Sequence, residues 1–313
     1  MDNNRVLIGS IVFVFGSFFL MIIGFMSQSY DNKKAREEAL AQLKKSEAET
    51  QGKAAPAVPK QDYSMYKTLV GEDGREMVQI PEGPFRMGGT EGDPDEAPEH
   101  QVYLSSFYID KKEITQAEYE QFFKMTKRGK PFIPVFEDDI AKITNRDLPA
   151  IGMSWPDAVA YCKWAGKRLP TEAEWEKAAR GEGRRRYPWG EDLGTNRANL
   201  DGVEDGFKYL APPGSFEAGR SPYGIYDMTG NVAEWVADTY DEHYYAKSPF
   251  RDPQGPSEGE HKVIRGGSWR ETPHGARIAK RFQAKMWRTD SSIGFRCARD
   301  GDKPATRAQK SQS

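Results

Sequence analysis

Twenty-one consecutive residues near the amino terminus, Val6 to Met26, carry no charge: VLIGSIVFVFGSFFLMIIGFM. At about 1.5 Å of rise per residue, such a run crosses the roughly 30 Å hydrocarbon core of a bilayer as one helix. Whatever folds in water must therefore be built from the rest of the chain. No small-x-small cleavage pattern follows, only Ser27, Gln28, Ser29 and Tyr30. The run thus reads as an uncleaved, single-pass anchor within residues 1–30 rather than a signal peptide. Arg5 and the amino terminus precede it, whereas Lys33, Lys34, Arg36, Lys44 and Lys45 follow. The positive-inside count assigns that basic flank to the cytoplasm, although large domains translocate despite nearby charge.

Residues 31–75 read as a stalk and linker. Asp31 to Thr50 is rich in Ala, Glu, Lys and Leu, with Glu37 and Glu38 ahead of Lys44 and Lys45, the order a solvated helix favours. Ala54 to Lys60 (AAPAVPK) then forms an extended spacer. The tail, 301–313, is polar and reads as disordered. A globular body remains over 76–300.

Composition narrows what that body does. Lys and Arg number 45 against 47 Asp and Glu, so the chain lacks the basic footprint of a nucleic-acid binder. Two cysteines exclude a disulfide-dense scaffold and any four-cysteine metal site within the chain. The body shows neither βαβ alternation nor a repeat of 20–50 residues. Met77–Ile80, Gln101–Tyr108 and Lys262–Ile264 read as strands. Ser154 is a helix N-cap, with the helix running through Cys162 to Trp164 and Gly166 beyond its end. Thr171 with Glu174, and Thr115 with Glu118, are spaced as capping boxes. The fold class is α+β, with much irregular backbone between elements.

Seven segments, in order, carry a resemblance: MVQIPEGPFRMGG (77–89), DEAPEHQVYLSSFYIDKKEIT (95–115), SWPDAVAYCKWAGKRLPTEAEWEKAARG (154–181), YPWG (187–190), YGIYDMTGNVAEW (223–235), RGGSW (265–269) and GFRCA (294–298). Together they resemble the formylglycine-generating enzyme family, the sulfatase-modifying-factor domain. The resemblance implies a compact, irregular mixed fold related to C-type-lectin-like folds.

The resemblance also implies structural calcium. The first family site falls on the side chains of Asn199 and Asp205 and the carbonyls of Leu200 and Phe207. The second falls on Asp227, Gly230, Val232 and Glu234. Amide, carboxylate and carbonyl oxygens are the donors a hard cation takes. The family's disulfide falls on Cys162 and Cys297; two buried free thiols are the other reading of these residues. A persistent disulfide belongs to an oxidising compartment. It favours a periplasmic body, against the positive-inside count.

Active members of the family hold copper(I) with two cysteines just after the Gly-Gly-Ser motif. Those positions here are Glu271 and Ala276. A carboxylate is a poor ligand for a soft ion and a methyl group is none. No copper and no formylglycine-generating activity are therefore expected. The leading expectation is a calcium-stabilised binding or accessory module, a pseudoenzyme held at the membrane beside an envelope protein partner. The alternative is an oxidoreductase using Ser268, Glu271 and His274, since relatives in pyoverdine maturation lack the cysteine pair. The four histidines, 100, 243, 261 and 274, show no paired i, i+3 or i+4 spacing. Arg184–Arg186 reads as a solvated turn. Trp235, Trp269 and Trp287 read as core before cleft.

Overall fold

Helix caps organise the described part of the molecule. The computed structural model describes residues 62–129, 131, 143–202 and 205–301. All of these belong to one compact unit, Gln61–Ser313. The expected anchor over residues 6–26, residues 31–61 of the stalk and residues 302–313 of the tail lie outside the described residues. Among the described residues no helix is long and apolar enough to cross a membrane.

The three α-helices among these residues begin at capping boxes. Helix α1 (Gln116–Thr126) starts at Thr115, whose Oγ1 accepts from the Glu118 N–H while the Glu118 carboxylate accepts from the Thr115 N–H. Helix α2 (Trp155–Trp164) starts at Ser154 with Asp157 in the reciprocal role, and Gly166, at φ +68°, follows its end. Helix α3 (Glu172–Arg180) starts at Thr171 with Glu174. Each reciprocal pair satisfies two backbone or hydroxyl donors that a helix start leaves open.

The strands form three small antiparallel or mixed sheets. β1 (Thr68–Val70), β2 (Glu76–Ile80), β5 (Phe107–Asp110) and β10 (Ala298–Asp300) lie in the order β1-β2-β5-β10. β3 (Gly83–Met87) pairs with β4 (His100–Leu104). β8 (Phe282–Lys285), β7 (His261–Arg265), β6 (Ala233–Thr239) and β9 (Ile293–Gly294) lie in that order, with β9 parallel to β6. The sheet thus starts upstream of the boundary at 76 read from the sequence. Three residues, TLV, with Val70 exposed, give too little alternation to signal a strand.

The single strand read over Gln101–Tyr108 is two strands in two sheets. The chain breaks at Ser105, whose N–H and hydroxyl both donate to the Asp252 carboxylate, at 2.7 and 2.8 Å. A partner 147 residues away makes that break, which alternation alone does not reveal.

Helix α3 packs against β3, β4, β6 and β7, and Trp175 is fully buried within it. Its charged residues are buried as well. Glu172 pairs with Arg281, Glu174 with Arg168 and Glu176 with Arg180 and Arg265. The second core gathers Tyr119, Phe122, Tyr161 and Phe295 edge to face or stacked, Tyr161 and Phe295 with ring centres 5.3 Å apart. A buried disulfide joins Cys162 of α2 to Cys297, ahead of β10, with Cα atoms 5.6 Å apart and no free cysteine left. This is the expected pairing, and the free-thiol reading falls.

Candidate functional site

The loop from Arg265 to Ala276 leaves the end of β7 through two glycines with positive φ. At Gly267 a Cβ would come within 2.9 Å of the Gly275 carbonyl oxygen, so the loop closes on itself only without a side chain there. Ser268 is 3% exposed, and its Oγ accepts from the Arg270 N–H at 3.2 Å. It stabilises the turn. Ala276 is fully buried, and its carbonyl accepts from the Thr229 hydroxyl.

A cleft of about 830 Å³ opens beside this loop over one face of the β8-β7-β6-β9 sheet. Ser268, Glu271, Phe282, Lys285 and Trp287 are among its lining residues. Trp287 is 55% exposed, with the Lys285 ammonium 5.6 Å from its ring centre. Trp235 and Trp269 are buried. The aromatic set therefore divides: two rings pack the core and the third faces the cleft.

His274 is not among the cleft-lining residues. Its ring is 66% exposed, with Nε2 4.0 Å from Asp93 and 3.4 Å from Arg277. The structure thus brings Ser268 and Glu271 to one cleft and leaves His274 outside it. Asp93, Asp95 and Glu96 gather near His274, but their carboxylates are already matched by Lys280, the Tyr240 hydroxyl and Arg277. The run Arg184–Arg186 is held in part: Arg184 reaches Glu99, and Arg185 donates to the Arg180 carbonyl.

Beneath the loop lie the two sets of oxygen donors. Asn199 is 1% exposed. Its Nδ2 donates to the Tyr209 carbonyl at 2.6 Å and to Asn231 Oδ1 at 3.0 Å, while its Oδ1 is buried with no hydrogen-bond partner. The Asp205 carboxylate accepts from the N–H groups of Leu200 and Phe207, at 2.9 and 2.8 Å, which curls the loop around that carboxylate. A buried acceptor without a donor is costly unless something electropositive meets it. This set therefore fits a calcium ion.

The second set is more crowded. The Asp227 carboxylate accepts from the Gly214 N–H, and burial pushes its pKa up to about 6. Glu234 accepts from the Nε–H, shared between its two oxygens, and an Nη2–H of Arg296 and from Trp175 Nε1. Glu113, absent from the sequence reading, lies in the same buried region, and burial pushes its carboxyl well above the usual range. Glu113, Asp227 and Glu234 share one buried guanidinium, Arg296. That surplus of acid suits a proton or a cation.

The donor sets and the cleft loop are joined through backbone. The Asp201 N–H donates to the Glu271 carbonyl at 3.0 Å, the Trp269 N–H to the Asn231 carbonyl at 2.9 Å and the Gly230 N–H to the Gly266 carbonyl at 3.0 Å.

This arrangement agrees with the comparison to known families. The model of the sulfatase-modifying factor enzyme 1-like domain matches residues 64–301. The chain belongs to this family. It is 35% identical over 305 residues to the formylglycine-generating enzyme of Thermomonospora curvata, covering 78% of this chain and 99% of that one. It is 36% identical over 242 residues to the serine/threonine-protein kinase pkn1 of Chlamydia pneumoniae. That match covers 72% of this chain, which spans 38% of the kinase's length. Among solved structures, PvdO from Pseudomonas aeruginosa superposes with a TM-score of 0.65 at 30% identity, over 75% of this chain and 98% of that one. The family relation accounts for the α+β fold with few helices and much loop.

Within the sulfatase-modifying-factor frame, sequence reasoning missed Glu113 and Asn231. Glu113 sits between Lys112 and Ile114 just before a cap, where a charged residue looks like an ordinary turn. Asn231 carried one available signal. It follows Gly230 in a polar interruption, and the structure gives it φ +61°, a conformation asparagine adopts more readily than most residues.

Proposed function

We propose that the domain is a calcium-stabilised binding or accessory module of the cell envelope, anchored by residues 6–26, without formylglycine-generating activity. One observation carries this reading. The chain's two cysteines are bonded to each other, and the two positions after Gly-Gly-Ser are Glu271 and Ala276. No thiolate pair remains beside the cleft to hold a soft copper(I) ion. The cleft itself persists, with the exposed Trp287 ring on its wall, and serves here as a recognition surface for a protein partner.

Calcium at Asn199, Leu200, Asp205 and Phe207 would cross-link loops that have few ladder hydrogen bonds. The orphaned Asn199 Oδ1 supports that site, and Asp227, with the carbonyls of Gly230 and Val232, supports a second, weaker one. A disulfide favours an oxidising compartment, so the module faces the periplasm despite the basic flank after residue 26. The stalk over 31–75 then holds it near its partner. A related domain forming part of a longer kinase supports an accessory role.

The test is metal content and turnover of the full-length protein in detergent. Calcium near one or two per chain is expected. With copper(I), dioxygen and a cysteine-containing sulfatase peptide, no formylglycine product is expected by mass spectrometry. The double variant Glu271→Cys/Ala276→Cys is expected to gain copper(I) binding. Product formation, dioxygen consumption, or stoichiometric iron or copper in the unaltered protein would overturn the reading.

A further inference from the structure

Asn231 is buried where three loops meet, and every polar atom it has is engaged. Its Oδ1 accepts from Asn199 Nδ2 at 3.0 Å and from the Ala211 N–H at 2.9 Å. Its Nδ2 donates to Glu113 Oε2 at 2.6 Å and to the Ala211 carbonyl at 3.1 Å. Its N–H donates to the Asn199 carbonyl, and its own carbonyl accepts from Trp269. Glu113 Oε1 accepts from the Val232 N–H at 3.1 Å.

These bonds have a direction. The Ala211 N–H and carbonyl admit only one orientation of the Asn231 amide, and Glu113 Oε2, which accepts from the Asn231 NH₂, holds the same one. That choice turns the Asn231 oxygen toward Asn199. The oxygen in turn admits only the NH₂ end of the Asn199 amide, a choice the Tyr209 carbonyl reinforces. Flipping Asn199 would set its oxygen against two acceptors. The orientation passed from Glu113 through Asn231 therefore leaves Asn199 Oδ1 as the free, buried end.

We infer that Glu113 and Asn231 are positioning residues for the cation site: through two successive side-chain amides they fix which end of Asn199 faces the ion. The Asn231 side chain has all its polar atoms engaged, so its part is support of Asn199 rather than ligation. The inference rests on the calcium reading of the Asn199 loop.

Two substitutions break the relay without large changes of shape. Glu113→Gln keeps the volume but sets an NH₂ group against one of two donors, the Asn231 amide or the Val232 N–H. Asn231→Gly removes the relaying amide and tolerates φ +61°. The experiment is calorimetric titration of calcium chloride into chelator-stripped, full-length protein in detergent. Near-ultraviolet circular dichroism without calcium reports whether each variant keeps its packing. The expected result is a calcium affinity lower by about tenfold or more in each variant, with packing retained, in line with the loss of a supporting partner behind a metal ligand. Either folded variant decides the matter. Affinity equal to that of the unaltered chain overturns the relay and leaves the calcium reading standing. No calcium binding by the unaltered chain overturns both.

Discussion

Arg265 and Glu176 face each other at 2.5 Å with neither side chain exposed to water. The same guanidinium donates to the carbonyls of Ile278, Ala279 and Lys280. It therefore ties α3 to the chain that leaves the cleft loop. Removing Arg265 leaves Glu176 with Arg180 alone and three carbonyls without their donor, which costs about 3–5 kcal/mol. Arg265→Ala is expected to lower unfolding stability by that amount in urea titrations, and Arg265→Lys to recover only part. A loss below about 1 kcal/mol would show that Arg180 alone compensates Glu176.

The Cys162–Cys297 bond closes a segment of 135 residues. Restricting an unfolded chain over that length contributes roughly 4–5 kcal/mol in the chain-entropy model. Cys162→Ala/Cys297→Ala is expected to lose stability of that order. Both cysteines are fully buried, so a reductant is expected to act on the unaltered protein only as fast as the domain opens. Rapid reduction of the folded protein would contradict that burial.

Stability is expected to fall as pH rises toward 8. Burial, with Glu172 close by adding in the same direction, pushes the Asp238 carboxyl up to about 8. The folded chain then keeps a proton that an unfolded Asp, near 3.9, has released. Between about pH 4 and pH 8 the native state binds more protons than the unfolded state, so each unit of pH costs up to about 1.4 kcal/mol. The contribution is fully present below pH 4 and is lost by pH 8. Asp227, pushed up to about 6, adds to the slope over its lower part. Asp238→Asn keeps an acceptor for the Glu172 N–H and is expected to flatten the slope between about pH 6 and 8, read from urea midpoints. An unchanged slope would place the proton elsewhere.

Calcium is expected to raise the melting temperature, and Asn199→Ala to remove most of that response. A ligand bound only by the folded state stabilises it by about 2.7 kcal/mol at a hundred times its dissociation constant. The check is thermal unfolding in calcium and in chelator, for both proteins. An Asn199→Ala variant that gains as much stability from calcium as the unaltered chain would move the main site to the Asp227 set.

The helix starts were open to reading because a capping box is local. Thr115 with Glu118 and Thr171 with Glu174 appear where the spacing predicts them, and Ser154 caps its helix as read, with Asp157 as its partner. The break at Ser105 was hidden because its partner, Asp252, is far along the chain. The same reason hid Glu113, whose acceptor role depends on Asn231, 118 residues later. Within the motif at 265–276, Ser268 and Glu271 line the cleft. The motif gave no sign that His274 turns toward Asp93, because that direction is set by Arg277 and Asp93 rather than by the motif itself.

The order in which a ribosome delivers this chain bears on how it reaches its fold. β5 is complete at Asp110, but one of its neighbours, β10, begins at Ala298. Cys162 likewise waits for Cys297. For most of synthesis, then, a four-residue strand of buried side chains has one open flank and a reactive thiol has no mate. Such late closure slows folding and exposes a nascent chain to wrong pairings. Truncation just before Cys297 would remove one cysteine and the last strand, and would leave both the sheet and the Cys162 thiol permanently unfinished.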